Sequence, residues 1–293
     1  MDKSMSLPEA ASVVVIGGGV MGCSVLYHLA KMGVKDVVLL ERKQLTCGTT
    51  WHSAAQVRQL RSSNNMTELI KYSTELYAGL EAETGQSTGW IKTGSLVLAT
   101  NEDRFTFIKR QASLAKLFNV ETHIIDQSEA AEMWPMMNAD DVVGAIYSPD
   151  DGRVNPSDLC VALIKGAKAN GARVFEDSEV TGFDIENGRV AAVRTEHGDI
   201  KCEKVVNCAG LWGRRIGEMA GVTVPLYACE HFYLLTKAIK GMGAHLPTLA
   251  DHDNYLYMRD EVGGLLAGCF EPNAKGIALD KLPHDFAFDL LNE

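Results

Sequence analysis

Short apolar runs and glycines alternate over residues 12–40. Residues 12–16 form a β-branched run that predicts a buried strand, and Gly17-Gly18-Gly19 end it. Residues 20–32 predict a helix closed by Gly33, and residues 36–40 predict a second buried strand. Two apolar strands around one helix, within about 30 residues, indicate a βαβ unit of a parallel sheet.

Downstream segments predict further helices and strands. Apolar spacing or terminal signals predict helices at residues 69–85, 105–118 and 156–170. Strands are predicted at residues 95–99, 174–195 (a hairpin around Asn187-Gly188), 200–209, 232–236, 255–258 and 265–266. Residues 45–63 predict a long loop or a weak helix. Residues 286–293 have the spacing of a helix that is just starting, or of a turn before one.

Composition narrows the class of protein. Hydrophobic residues make up 46% of the chain and charged residues 23%, which are ordinary values for a globular protein. The net charge is −10, and because an acidic surface repels phosphate backbones, we expect no nucleic-acid partner. No apolar run reaches the roughly 20 residues that span a bilayer, so we expect no membrane partner.

The cysteines and the start of the chain bear on the compartment. The seven cysteines are scattered without a CxxC pair, which favours free thiols in a reducing compartment and argues against a metal site. Residues 1–11 lack the features of a secretory signal or of an Arg-rich transit peptide. We therefore expect a protein of the bacterial cytoplasm or the mitochondrial matrix, and not a secreted one.

The first glycine turn carries a dinucleotide-binding motif. Gly17, Gly19 and Gly22 match G-x-G-x-x-G, whose glycines allow a tight turn, the approach of a pyrophosphate and close helix–strand packing. The helix that starts at Val20 would direct its N-terminus at the phosphates. The second strand ends, about 20 residues further on, in Glu41, whose carboxylate can accept hydrogen bonds from ribose hydroxyls and repels a 2′-phosphate.

A second strand-to-turn segment bears on the choice between NAD and FAD, which the first unit leaves open. Residues 205–210 form an apolar strand that enters a turn of small residues, including Ala209 and Gly210. Such a strand passes beside the cofactor in flavoproteins with two dinucleotide-fold segments, and an ordinary strand-to-helix turn is the alternative. Arg42, next to Glu41, is included in the predicted cofactor site.

The stretch GTTWHSAA at residues 48–55 favours FAD. With Glu83-Thr84-Gly85, Gly89-Trp90-Ile91 and Asp151-Gly152, it resembles the sarcosine and dimethylglycine dehydrogenases, which are FAD-dependent oxidoreductases of the D-amino-acid-oxidase-like type. The segments at residues 135–138 and 205–212 extend the resemblance over almost the whole chain. It covers the N-terminal part of those enzymes only.

The resemblance implies FAD and assigns the residues of the Thr-Thr-Trp-His turn. His52, which follows Trp51, matches the histidine that carries the flavin through a covalent bond to its 8α-methyl carbon in that family. Thr49 and Thr50 would donate their hydroxyls to the pyrophosphate. The cofactor implied is therefore FAD, bound covalently through His52.

Other positions are carried over from the same family. Val180 would contact the adenine edge, and Trp212 would lie near the cofactor strand. His231 and Tyr257 correspond to residues that face the flavin on the substrate side in dimethylglycine-oxidising relatives. A histidine can tune the proton of an amine, and a tyrosine hydroxyl can position the substrate. Tyr255 is the rival of Tyr257, because it lies on the same face of a strand.

The activity implied is oxidation of a small N-methyl amino acid, sarcosine or dimethylglycine, by hydride transfer from the N-methyl carbon to flavin N5. The sequence does not identify the electron acceptor. Residues 228–236 resemble the regulatory subunit of pyruvate dehydrogenase phosphatase, so a non-catalytic homologue is one alternative. Another FAD-dependent amino-acid oxidase or dehydrogenase is the other.

The resemblance also implies the fold, a mixed α/β (α+β) architecture. A Rossmann-like FAD-binding domain, residues 1–88 and 152–222, would be interleaved with an antiparallel-sheet substrate domain, residues 89–151 and 223–293. The last glycine-rich flavin-contacting segment and the folate-binding region of the family have no counterpart in the sequence. We therefore expect a C-terminally truncated chain, whose full-length protein could carry a folate domain.

Overall fold

The computed structural model of the chain describes residues 6–291. Strands and helices follow one another there in the order β1 (Ala10–Ile16), α1 (Val20–Lys31), β2 (Val37–Leu40), β3 (Gln56–Val57), α2 (Asn64–Thr84), β4 (Ser95–Ala99), α3 (Glu102–Leu117), β5 (His123–Ile125), α4 (Gln127–Met133), β6 (Gly144–Ser148), β7 (Gly152–Arg153), α5 (Pro156–Ala169), β8 (Arg173–Phe175), β9 (Val180–Glu186), β10 (Arg189–Thr195), β11 (Gly198–Asn207), α6 (Gly213–Met219), β12 (Tyr233–Leu235), β13 (Thr248–Asp251), β14 (Leu256–Glu261) and β15 (Gly264–Cys269). Short 3₁₀ helices lie at Thr49–His52, Gly210–Trp212 and Leu279–Lys281.

A six-stranded sheet in the order β8-β2-β1-β11-β10-β9 forms the first layer. β8, β2, β1 and β11 run parallel, and Val14 of the central strand β1 lies opposite Val38 on one side and Val205 on the other. The inner part of β1 is buried on both faces, which explains why its apolar residues do not alternate with polar ones.

Helices cover both faces of this sheet. On one face α1 packs against α5, and Leu26, Tyr27 and Leu163 belong to one buried cluster. Gly166 allows the close approach, because a Cβ there would lie 2.6 Å from the ring of Tyr27. On the other face Ile216 of α6 packs against the apolar side chains of β1, β2 and the β9–β10 hairpin. The parallel strands are thus shielded from solvent.

A seven-stranded sheet in the order β12-β15-β14-β13-β4-β6-β5 forms the second layer. Its neighbouring strands run antiparallel, except for β13 and β4, which run parallel. Leu96, Trp134 and Leu249 lie in its buried core. The indole N–H of Trp134 donates to the carbonyl oxygen of Pro247 at 2.8 Å, so the polar atom of this buried ring is paired.

The two sheets confirm the predicted mixed α/β class. The first takes its strands from residues 10–40 and 173–207, and the second from residues 95–148 and 233–269, so the chain passes repeatedly between them. The domain boundaries near residues 88, 151 and 222 stay a prediction.

Some predicted elements differ from the structure. Residues 174–195 do not form one hairpin, because Val174 belongs to the parallel strand β8, while β9 and β10 pair around Asn187-Gly188. Both turn residues have positive φ angles, 51° and 77°, which suit an Asn-Gly turn. The weak helix considered for residues 45–63 is only a 3₁₀ turn followed by β3. The sequence pattern missed the strands β3, β5, β6, β7 and β13 and the helices α4 and α6.

The end of the described chain carries no helix. Residues 286–291 are irregular and follow a turn in which the Phe286 N–H donates to the Pro283 carbonyl oxygen at 3.0 Å. The rest of that predicted segment, residues 292 and 293, lies outside the described residues. Residues 1–5, part of the segment in which the sequence showed no signal or transit peptide, also lie outside them. Among residues 6–291, no helix is long and apolar enough to cross a membrane.

Candidate functional site

The turn between β1 and α1 depends on two close backbone contacts. Gly17 has φ +107°, and a Cβ there would lie 2.4 Å from a backbone carbonyl oxygen just after β11. A Cβ on Gly22 would lie 1.8 Å from the carbonyl oxygen of Gly17, so only glycine fits. Gly19 provides no side-chain cap for α1, and the Val20 N–H donates to Thr50 Oγ1 at 2.9 Å. The first amides of a helix lack intrahelical partners, so this end suits an anion.

Glu41 lies at the end of β2, beside this turn. Its carboxylate accepts a hydrogen bond from the Gly18 N–H at 2.7 Å and another from the Lys43 N–H at 2.9 Å. Only 8% of the residue is exposed. These backbone hydrogen bonds hold the carboxylate at the position where dinucleotide-binding folds have an acceptor for the ribose hydroxyls.

A cavity of about 550 Å³ opens along the carboxyl ends of β1, β2 and β11. Most of the predicted cofactor residues line it: Gly17, Gly19, Val20, Glu41, Arg42, Thr49, Thr50, Val180, Ala209, Gly210 and Trp212. Gly22 is not part of the lining and acts through packing. Ser178, Glu179 and Arg215 also line the cavity, and sequence reasoning missed them because no motif marks them.

Arg42 and Trp212 form one wall of this cavity. The guanidinium carbon of Arg42 lies 4.1 Å from the ring centroid of Trp212, a cation–π contact. The guanidinium also donates to the carbonyl oxygens of His284, at 3.2 Å, and of Phe286. Arg42 Nε is buried and has no hydrogen-bond partner within the described part of the chain. Arg42 thus keeps one donor for a further acceptor.

Trp51 and His52 lie in the 3₁₀ turn Thr49–His52, next to the cofactor cavity. Their ring centroids are 4.0 Å apart, and His52 Nε2 lies 3.1 Å from the carbonyl oxygen of Asp289. Trp51 Nε1 is buried, with no partner found between residues 6 and 291. Burial lowers the pKa of His52, which favours the neutral ring. Ser53, the next residue, lines the cofactor cavity and a second cavity.

The second cavity, of about 640 Å³, adjoins the first at Ser53. Its lining includes His52, His231 and Tyr257, so the structure brings the predicted attachment residue together with both predicted substrate-side residues. Tyr255 does not line it. That residue precedes β14 with φ +57° and is 50% exposed, so Tyr257 faces the cavity and its rival does not.

The two substrate-side residues share a neighbour, Phe270. The ring of His231 contacts it edge-on, with the centroids 5.9 Å apart, and the ring of Tyr257 lies 5.1 Å from it. Gly268, opposite Tyr257 in β15, leaves room for the tyrosine, since a Cβ there would lie 2.2 Å from its ring. Burial raises the pKa of Tyr257, so its hydroxyl stays protonated and can donate a hydrogen bond.

The second cavity also contains a cation that the sequence pattern did not assign to the site. Arg58 donates from Nη2 to Gln56 Oε1 at 2.6 Å. It takes part in none of the ion pairs found among residues 6–291. Burial lowers the pKa of Arg58 to about 10, so the guanidinium remains charged at neutral pH. The only signal in the sequence is its place, a few residues after His52.

Other titratable groups in this cavity do not cancel that charge by direct contact. Arg61 and His252 line it too, and burial lowers the pKa of both. Asp151 is engaged elsewhere: it accepts hydrogen bonds from Ser95 Oγ at 2.6 Å and from the Gln59 N–H at 2.8 Å. Burial raises the pKa of Asp151, which weakens its tendency to ionise. The second cavity therefore suits an anionic group.

Comparison with known families agrees with this geometry. The family described as DAO, FAD dependent oxidoreductase, matches residues 12–291, which include both cavities. The chain belongs to this family. FAD is thus the cofactor of its family, as predicted, and the D-amino-acid-oxidase-like fold is confirmed.

Individual relatives agree with the resemblance seen in the sequence. The mitochondrial sarcosine dehydrogenase of Mus musculus is 44% identical over 295 residues, which cover 99% of this chain and 32% of that protein. The mitochondrial pyruvate dehydrogenase phosphatase regulatory subunit of Mus musculus is 41% identical, over 94% of this chain and 32% of that protein. The chain thus spans about a third of the length of these curated relatives.

A solved structure extends the comparison to three dimensions. The L-proline dehydrogenase from P. horikoshii superposes with a TM-score of 0.87 at 30% identity. The match covers 96% of this chain and 75% of that one. The two proteins therefore share their fold over almost the whole of this chain.

The residues around the first cavity fit FAD. The open N-terminus of α1 suits the pyrophosphate, and Glu41 suits the ribose. Arg42 Nε and Trp51 Nε1 are buried donors that lack a partner among the described residues, and a polar ligand would satisfy them. The role of each single residue stays a prediction.

Replacing Glu41 with Gln is expected to weaken the binding of FAD. The amide keeps one acceptor but loses the charge, and a hydrogen bond to a charged group contributes about 1.5–3 kcal/mol, or roughly 10-fold or more in Kd. Fluorescence titration of the apoprotein measures this. Glu186→Gln, an exposed change at the end of β9, is the control and should leave Kd unchanged. Equal affinities for Glu41→Gln and the wild type would remove Glu41 from the site.

Proposed function

We propose that this chain is the cofactor-binding and substrate-binding part of an enzyme that oxidises a small N-methyl amino acid, sarcosine or dimethylglycine. The observation that carries the proposal is the second cavity, whose lining includes Arg58, His231 and Tyr257 together with the attachment candidate His52. This set provides a cation for a carboxylate and polar groups for an amine. The match to sarcosine dehydrogenase supports the same substrate class.

Arg58 and Arg61 bind the substrate carboxylate in this proposal. Arg58 has no ion-pair partner in the described chain, and a planar guanidinium suits a carboxylate geometrically. A charge withdrawn from water without a partner is costly, and a bound carboxylate offsets that cost. The amino-acid part of the substrate would thus be anchored at this end of the cavity.

His231 and Tyr257 act at the amine. Oxidation requires the neutral amine, because its lone pair assists as the methyl C–H bond breaks. His231 accepts the ammonium proton, and the Tyr257 hydroxyl donates a hydrogen bond that orients the substrate. Bound FAD supplies the acceptor for the hydride from the methyl carbon, and the substrate leaves as an iminium that water hydrolyses to formaldehyde.

His52 carries the flavin covalently in this proposal. A ring nitrogen can bond to the flavin methyl carbon only through a free lone pair, and burial favours the neutral ring that has one. Because Nε2 donates to the carbonyl oxygen of Asp289, the neutral ring here has its lone pair on Nδ1. Trp51 packs on the same ring and limits its motion.

The compartment follows the same proposal. We place the enzyme in the mitochondrial matrix or the bacterial cytoplasm, where the seven cysteines can stay free thiols, as they are in the structure. Its electron acceptor is unidentified, and a folate domain in the full-length protein could receive the one-carbon product.

A second candidate function is that of a non-catalytic regulator. The match to the phosphatase regulatory subunit, at 41% identity, favours it. The two candidates differ in one property, reduction of the flavin by an amine.

Anaerobic mixing of the FAD-loaded, full-length protein with substrate tests the main proposal. Sarcosine and dimethylglycine are expected to bleach the flavin absorbance near 450 nm, whereas glycine, which has no N-methyl carbon, should bleach it far more slowly. An added redox dye should restore the oxidised spectrum. If none of these amines bleaches the flavin, the enzymatic proposal is wrong and the regulatory candidate is favoured.

Covalent attachment is tested by acid precipitation of the same protein. The flavin should stay with the polypeptide, and His52→Ala should release all of it into the supernatant, because no other residue is proposed to hold it. His123→Ala, which removes an exposed histidine distant from both cavities, should keep the covalent flavin. Release of flavin from the wild type would contradict the covalent claim without touching the proposed activity.

The Arg58→Met variant tests whether Arg58 recognises the carboxylate of the substrate rather than its amine. Loss of the ion pair is expected to raise KM for sarcosine about 30-fold, from roughly 2 kcal/mol of lost binding. An N-methyl amine without a carboxylate should be oxidised by the variant and the wild type at similar efficiency. Arg110→Met, on the exposed side of α3, is the control. An equal loss for both substrates would show that Arg58 is structural.

A further inference from the structure

His231 is held by a carboxylate from the adjacent strand. β12 and β15 pair antiparallel, with Tyr233 opposite Gly268, so the residue that follows β15 by two positions reaches the segment just before β12. That residue is Glu271, whose Oε2 lies 2.8 Å from His231 Nδ1. The sheet register itself thus produces the contact.

The carboxylate of Glu271 is anchored by more than the imidazole. Its Oε1 accepts the Phe232 N–H at 3.1 Å and the Cys269 thiol at 3.3 Å. Its own backbone N–H, the contact with His231 and these donors hold the pKa of Glu271 at about 2. The carboxylate is therefore ionised throughout the neutral range and cannot turn away from His231 without losing several bonds.

The second ring nitrogen of His231, Nε2, has different surroundings from Nδ1. His231 lines the second cavity, and Nε2 has no hydrogen-bond partner among residues 6–291. A neutral imidazole that donates from Nδ1 to a carboxylate has its lone pair on Nε2. The edge contact with Phe270 restrains the ring plane. Glu271, outside the cavity lining, thus sets the tautomer, and Phe270, within the lining, restrains the orientation of the ring.

We propose that Glu271 is a positioning residue, which holds His231 in the Nδ1–H tautomer and presents the Nε2 lone pair to the amine of the substrate. The proposal rests on the function proposed above. Glu271 itself does not line the second cavity and acts through His231. In the reaction, the substrate ammonium gives its proton to Nε2, and the Nδ1–H stays on the imidazole, whose new positive charge the carboxylate stabilises.

A purely structural role makes a different prediction. Glu271 also bridges the ends of β12 and β15 through Phe232 and Cys269, so its removal could simply loosen this edge of the sheet. Such loosening would harm the enzyme whether or not His231 is present. A double-mutant cycle separates the two roles, because a positioning residue has nothing to position once its histidine is gone.

The experiment uses the FAD-loaded, full-length enzyme with Glu271→Gln, Glu271→Leu and His231→Ala, alone and combined. Glu271→Leu is expected to lower kcat with the N-methyl substrate about 10–100-fold, the usual cost of losing a residue that orients a functional histidine. KM and flavin content should change little, and Glu271→Gln should fall between Leu and the wild type. In the His231→Ala background, Glu271→Leu should have no further effect. Glu230→Gln, a nearby carboxylate paired with Lys275, is the control.

A second measurement does not depend on turnover. In ¹⁵N spectra of histidine-labelled protein with the His231 ring neutral, the Nε2 signal should be of the unprotonated type, because Nδ1 donates to Glu271. Glu271→Leu should convert it to the protonated type. If Glu271→Leu converts the signal but no amine reduces the flavin, the proposed function is wrong and the positioning role of Glu271 still stands.

Three outcomes would overturn the proposal for Glu271. One is an unchanged kcat in Glu271→Leu, and another is an equal loss with and without His231. The third is an Nε2 signal that is already protonated in the wild type.

Discussion

The contact between Gly22 and the carbonyl oxygen of Gly17 is the constraint on which the rest of the site depends. A Cβ only 1.8 Å from that oxygen cannot be accommodated, so any other residue would push α1 away from β1. With α1 in place, Thr50 reaches the Val20 N–H at the start of the helix. That bond joins the phosphate end of α1 to the turn that carries His52. One close backbone contact therefore positions both the N-terminus of α1 and the turn that contains His52.

The last described residues interact with the same groups. Arg42 donates to the carbonyl oxygens of His284 and Phe286, and His52 contacts that of Asp289. The Phe288 N–H in turn donates to the Cys47 carbonyl oxygen at 2.9 Å. Arg42 and His52 thus meet backbone oxygens, which are acceptors of the kind that a dinucleotide also offers. Both side chains act as hydrogen-bond donors to these backbone oxygens, and they would act as donors to a dinucleotide as well.

The sequence predicted the dinucleotide half of the site better than the substrate half, for a physical reason. The glycine turn and Glu41 belong to one βαβ unit, whose spacing is set locally. The second cavity brings together Arg58, His231 and Tyr257, which meet only through strand pairing and the packing of two sheets. A lone arginine in a sequence does not reveal whether water or a buried wall surrounds it. Short strands such as β13 were missed because so few residues do not show a recognisable pattern of apolar and polar positions.

The charge balance of the second cavity suits an anionic group, and this observation does not depend on any relative. Arg58 stays protonated at neutral pH although burial lowers its pKa to about 10, so its field persists inside the cavity. Asp151 interacts with Arg58 electrostatically but makes no direct ion pair with it, and its oxygens accept hydrogen bonds from Ser95 and Gln59. The fold thus leaves a partly buried cation without a direct anionic partner in the described chain. An unpaired buried charge lowers stability, and in the proposed function the carboxylate of the substrate would complete the pair.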